Sequence, residues 1–222
     1  MKKIMFNDNY GLTDAVLAGW KTKTRRIITP QPNISDTVGV VWKGFAYGIN
    51  GNGVLGSYHN FINGTEYDKS CRRYRVGEVV AIAQSYKDAG VNFLPEEDDE
   101  FGCYNFPAEQ TNGWTNKMFV RASLMPHHIR FTKVRMERLQ DISDEDCIKE
   151  LGLKHVEADM GYKKYQTHMV YQFLWDDELG RTREYSHESP KEVFAVMIDK
   201  ICGHGTWNDN PFVFAYDFEL ID

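Results

Sequence analysis

The stretch Gly19-Trp20-Lys21-Thr22-Lys23-Thr24-Arg25-Arg26-Ile27-Ile28 decides how this 222-residue chain is read. It opens on a glycine suited to end a helix, then runs from polar into apolar residues. Just upstream, Thr13 suits an N-cap, Asp14 suits the positive first turn of a helix, and Gly19 is the natural stop. A short strand near Lys3–Phe6 leads into that helix. Downstream, Thr29 still suits a strand, while Pro30 and Pro32 close it. The chain therefore starts strand, helix, strand.

Further on, Gly48-Ile49-Asn50-Gly51-Asn52-Gly53 has glycines spaced like a phosphate loop. No Gly-Lys-Ser/Thr follows and no helix pattern opens there, so a hairpin or loop is expected. Arg75-Val76-Gly77-Glu78 reads as a turn feeding Val79–Ala83, a short apolar run typical of a strand buried on both faces. Val120 to Met136 predicts one long strand or two. Ser143 followed by Asp144, Glu145 and Asp146 predicts a helix running to about Leu151 and stopped by Gly152. Ser189-Pro190-Lys191-Glu192 combines a capping box with proline at the first helical position. That helix presents Phe194, Met197, Ile198 and Ile201 on one face and stops at Gly203. A last strand alternates Phe212, Phe214, Tyr216, Phe218 and Leu220. The order predicts an α+β fold around an antiparallel sheet or barrel, one domain over 1–222, with insertions near 33–70, 87–116 and 155–188.

Composition narrows the function classes. The formal net charge is −6, which argues against wholesale coating of nucleic acid. The acid is concentrated in Glu96–Glu100, whereas the basic residues bunch at Lys21, Lys23, Arg25, Arg26 and at Arg72, Arg73, Arg75. That asymmetry predicts one positive patch on an acidic body. Four scattered cysteines without a C-x-x-C pair read as reduced thiols. Seven dispersed histidines give no zinc pattern. The N-terminus turns polar too early for a signal peptide, and no apolar run reaches membrane-spanning length, so a cytoplasmic location is expected.

In five blocks the chain resembles an ASCH domain, in the larger form found in phages and prophages. The blocks are Gly19–Arg26, Tyr74–Glu78, Met125-Pro126, Val134–Ser143 and Gly205–Val213. Well over half of the chain lies outside them. The resemblance implies a PUA-like fold, a small closed or nearly closed β-barrel with flanking helices, and binding of RNA or of a modified nucleoside. It implies no cofactor. A small bacterial member of that family removes acyl groups from the exocyclic amine of cytidine with a lysine, a threonine and a glutamate. Carried over by motif, these are Lys21, Thr24 and Glu150, the last lying seven residues after Ser143. Two departures stand out. Trp20 replaces the usual arginine, and Leu151 separates Glu150 from Gly152.

The chemistry implied is amide hydrolysis. Thr24 would attack, Lys21 would take its proton once desolvated, and Glu150 would sit near the negative end of its helix. Arg25 or Arg26 would hold a phosphate or a developing oxyanion, and Lys23 is a further candidate for nucleic-acid or ligand binding. Trp207 is either a stacking platform for a base or a core ring. In a regular strand, however, Lys21 and Thr24 point to opposite faces, so they converge only if the chain still turns after Gly19. Three roles follow: a nucleoside- or RNA-binding module, an amidohydrolase on acylated cytidine, or a non-catalytic phage accessory protein that binds a host partner. A ribonuclease finds no support in the histidine pattern.

Overall fold

In the computed structural model, the described residues are 1–35, 39–42, 45–49, 55–57, 73–95, 105–159, 167–177 and 179–222. The acidic run, Arg72, Cys71, Cys103 and part of the Gly48–Gly53 run lie outside them. The chain opens with β1 (Lys3–Ile4), α1 (Leu12–Leu17) and β2 (Lys23–Ile27). It continues through β3 (Asn33–Ser35), β4 (Gly39–Trp42), β5 (Phe45–Ile49) and β6 (Leu55–Ser57), a four-stranded antiparallel meander. Then come β7 (Val79–Ile82), β8 (Phe93–Pro95), β9 (Asn105–Pro107) and the eleven-residue β10 (His128–Arg138). The C-terminal third holds α2 (Asp144–Leu151), β11 (Lys154–Asp159), β12 (Thr167–Asp176), β13 (Thr182–His187), α3 (Pro190–Cys202), α4 (Thr206–Asp209) and β14 (Phe212–Leu220).

The main sheet has five strands in the order β1-β7-β10-β14-β2, antiparallel except for the β1–β7 pair. The α+β class holds, but the expected barrel closure does not: this sheet is open, with β1 and β2 as its edges. Strand β1 offers only two paired residues, too few for a ladder to both neighbours. A side chain joins the two edges instead. Arg26 Nη2 donates to the Met5 carbonyl at 2.6 Å, and its guanidinium lies 5.9 Å from the centre of the Phe6 ring.

Strand β7 lies between β1 and β10 and is fully buried beyond its first residue, as its apolar run predicts. Both predicted serine caps form. Ser143 Oγ accepts from Asp146 N–H, and Ser189 Oγ accepts from Glu192 N–H. Thr13 is not a cap: Gly11 takes that place, and Thr13 lies in the first turn with its hydroxyl donating to Asp8.

Residues 155–188, expected to be irregular, are regular over most of their described part. The described part forms an antiparallel sheet, β11-β12-β13, whose Val170 and Phe173 are buried. Phe173 joins the principal core, which also takes Val80 and Ile82 from β7, Ile129 and Met136 from β10, and Phe194 and Met197 from α3. Residues 87–116 likewise are more than loop. There β8 pairs with β9 beside a second small core of Tyr86, Leu94, Val120 and Met125. Gly113 packs against that core so closely that a Cβ would meet the Tyr86 ring at 2.4 Å.

Candidate functional site

The decisive local feature is what happens between Gly19 and Lys23. Gly19 adopts a left-handed φ of 74°, and the N–H groups of Trp20 and Lys21 both donate to the Ala15 carbonyl at 2.9 Å. The chain is still turning at Lys21, and the strand begins only at Lys23. Strand alternation therefore does not separate Lys21 from Thr24. Both line one cavity of about 330 Å³.

Each wall of that cavity comes from a different element. Thr24, Arg25, Arg26 and Ile27 of β2 form one side, and Glu150 and Leu151 at the end of α2 form another. Phe194, Ile198, Ile201 and Cys202 of α3 supply an apolar wall, completed by Phe6 and Leu12. The extra residue Leu151 does not disturb the placement of Glu150, which is 5% exposed.

Lys21 is 2% exposed. Its ammonium donates to the main-chain carbonyls of Lys23 and Glu150 and lies 5.7 Å from the centre of the Phe6 ring. Burial pulls its pKa from the ordinary 10.5 to about 8, against the opposing pull of Glu150. A fraction of the amine is therefore neutral near physiological pH and able to accept a proton.

The other cations of the run do not form an open basic patch. Lys23 Nζ pairs with Asp146 at 3.0 Å and Asp217 at 2.8 Å. Arg25, with a side chain 1% exposed, is clamped between Glu137 at 2.6 Å, Asp146 at 3.1 Å and both oxygens of Glu150, one of which its own main-chain N–H reaches. Arg135 closes the layer, with contacts at 3.2 Å to Glu137 and 3.1 Å to Asp146. Three cations (Lys23, Arg25, Arg135) thus face four carboxylates (Glu137, Asp146, Glu150, Asp217) in one internal layer, beside the buried Lys21. Across three strands in register, Arg25 lies opposite Ala215 and Ala215 opposite Arg135. The small residue between them leaves room for both guanidinium groups over the sheet. Glu150 is thereby a counter-ion to Arg25. Arg26, exposed at the cavity rim, pairs with no carboxylate among the described residues.

Trp207 stands apart from this cavity. It packs edge-on against Phe194 with ring centres 6.0 Å apart, and its main-chain N–H donates to Asp199 Oδ1 at 2.7 Å. It is partly buried and packs against the principal core. Trp20 is 56% exposed, with Lys154 Nζ 4.6 Å from its ring centre.

Sequence reasoning missed Glu137, Asp146, Asp217 and Arg135. No local signal announced them, since alternating charges such as Arg135 and Glu137 ordinarily mark the solvent face of a strand. No family model matches the chain, and no curated protein or solved structure shows significant similarity to it.

Proposed function

We propose that the cavity beside β2 binds a single nucleobase or nucleoside, and that Lys21 and Thr24 hydrolyse an acyl group from its exocyclic amine. One observation carries the reading: a buried lysine with its pKa pulled to about 8, a threonine and a glutamate from separate segments line the same cavity. Its volume, about 330 Å³, falls at the lower end of the roughly 300–1,000 Å³ typical of small-molecule sites. The ligand is a nucleoside rather than an RNA strand because Lys23 and Arg25, the cations a phosphate backbone would need, already face carboxylates.

Neutral Lys21 takes the proton of the Thr24 hydroxyl as its oxygen adds to the acyl carbon. The tetrahedral adduct collapses by breaking the carbon–nitrogen bond, and the leaving amine receives the proton from the Lys21 ammonium. Water then adds to the threonyl ester while Lys21 again takes a proton, and the carboxylic acid and free threonine are released. Arg26 at the rim is the group placed to meet negative charge on the acyl oxygen. Glu150 acts through others. Its carbonyl holds the Lys21 ammonium and its carboxylate fixes Arg25.

The test is release of cytidine from N4-acetylcytidine and longer acyl homologues by purified protein. Wild-type protein is expected to turn over, while Lys21→Met and Thr24→Val lose at least about a hundredfold, the usual share of a general base or nucleophile. Turnover that survives both substitutions, or none at all from folded wild-type protein, overturns the reading.

A further inference from the structure

Strand β2 is the last in its sheet, so half of its main-chain groups have no ladder partner. The register decides which half. The Thr22 carbonyl takes Phe218 N–H at 2.9 Å, and Ile28 N–H donates to the Phe212 carbonyl at 3.1 Å. Pairing between them runs without a slip, so the even-numbered residues face β14. Lys23, Arg25 and Ile27 therefore aim their N–H and C=O groups away from the sheet.

Two of these outward groups are already capped. Lys21 takes the Lys23 carbonyl, and Glu150 takes Arg25 N–H. Next along the same edge come the Arg25 carbonyl and Ile27 N–H. Both residues line the cavity, and neither group has a hydrogen-bond partner among the described residues. In an extended strand these two groups stand side by side as an acceptor and a donor, open to a partner that offers an N–H beside an acceptor. An added peptide strand would need several such pairs in succession. Lys21 and Glu150 cap the edge on one side, and Pro30 lacks a donor on the other.

We infer that the Arg25 carbonyl and Ile27 N–H read the hydrogen-bonding edge of a ring that presents an N–H beside an acceptor. The inference rests on the nucleoside reading above and deepens it by naming how the base is chosen. For cytosine, the exocyclic N–H meets the Arg25 carbonyl and ring N3 accepts from Ile27 N–H. An acyl group on the exocyclic nitrogen leaves both partners in place, and it projects the acyl carbon along the wall that carries Thr24 and Lys21. A base whose nitrogen bears two alkyl groups has no proton to offer and is rejected.

The experiment titrates the ¹⁵N-labelled full chain with cytidine, N4,N4-dimethylcytidine and 3-deazacytidine. The Ile27 amide resonance is expected to move with cytidine, and each analogue to bind about tenfold more weakly for the hydrogen bond it lacks. Ile27→Pro, which deletes a donor that no ladder uses, is expected to weaken cytidine by a similar factor. Equal affinity for all three nucleosides, an unmoved Ile27 amide at saturation, or no binding of cytidine overturns the inference. The turnover assay separates the two claims. Hydrolysis with an unmoved Ile27 removes only the edge reading, whereas Ile27-dependent binding without hydrolysis removes only the deacylation.

Discussion

At the scale of the residue, Lys21 is the group on which both structure and chemistry turn. Its ammonium is buried, and its pKa falls from 10.5 to about 8 because burial penalises the charge. Between those two values the unfolded chain carries a proton that the folded chain has released, so stability rises with pH across that window. Relative to Lys21→Met, wild-type protein is expected to gain up to roughly 3 kcal/mol between about pH 7.5 and about pH 10.5, because each pH unit crossed between the two pKa values adds about 1.4 kcal/mol. Urea denaturation of both proteins measures this, and a gap that stays constant with pH contradicts it. Arg25 has the opposite character: burial opposes its charge, but Glu150 and Glu137 outweigh burial and hold it firmly protonated. Arg25→Met leaves the buried Glu150 carboxylate without its ion partner and Glu137 with Arg135 alone, and is expected to cost about 3–5 kcal/mol in denaturation midpoint experiments. A loss below about 1 kcal/mol would mean that the ion layer is exposed to solvent.

At the scale of the element, the ends of the helices set the site. Gly152 ends α2 with a left-handed φ of 68°, and a Cβ there would lie 3.3 Å from Ala15 Cβ and 3.4 Å from Trp20 Cβ. This contact seats the end of α2 against α1 and the turn that carries Lys21. Gly152→Ala is expected to lower stability by about 1–2 kcal/mol, through both the backbone conformation and the close approach. Thermal denaturation checks this, and an unchanged midpoint would contradict the close packing of the two ends. The same ends were legible in the sequence where chemistry is local. Ser143, Gly152, Ser189 and Gly203 each do what their residue type dictates. Thr13 misled because Gly11, two residues earlier, can adopt the left-handed geometry that starts α1 and leaves Thr13 to bond Asp8. Strands β11 to β13 were missed because their polar edge strands hide the alternation, and β12 is anchored by only a few buried rings such as Phe173.

At the scale of the whole molecule, the surprise is where the positive charge goes. The sequence shows Lys21 to Arg26 as a basic run on a chain of net charge −6, which predicts an exposed patch. Folding instead places Glu137, Asp146 and Asp217 against it, residues more than a hundred positions away, and no local pattern announces that pairing. The convergence of Lys21, Thr24 and Glu150 was foreseeable only from a motif, since strand periodicity alone separates the first two. A paired layer of this kind has a consequence for ligands. Cytidine affinity is expected to change less than about twofold between about 50 and 200 mM salt, whereas a site that neutralises a single-stranded phosphate backbone weakens with a slope near −0.7 per contact. A steep salt dependence in calorimetry would restore the RNA reading.

The most direct test of the central claim is the pH dependence of cytidine release from N4-acetylcytidine by wild-type protein and by Lys21→Met. Wild-type kcat/KM is expected to rise tenfold per unit below the lysine's pKa and to level off above about pH 8, while the variant lacks this rise and stays at least about a hundredfold below the wild-type plateau. A variant that keeps the wild-type rate and profile, or folded wild-type protein that releases no cytidine anywhere in that range, would contradict it.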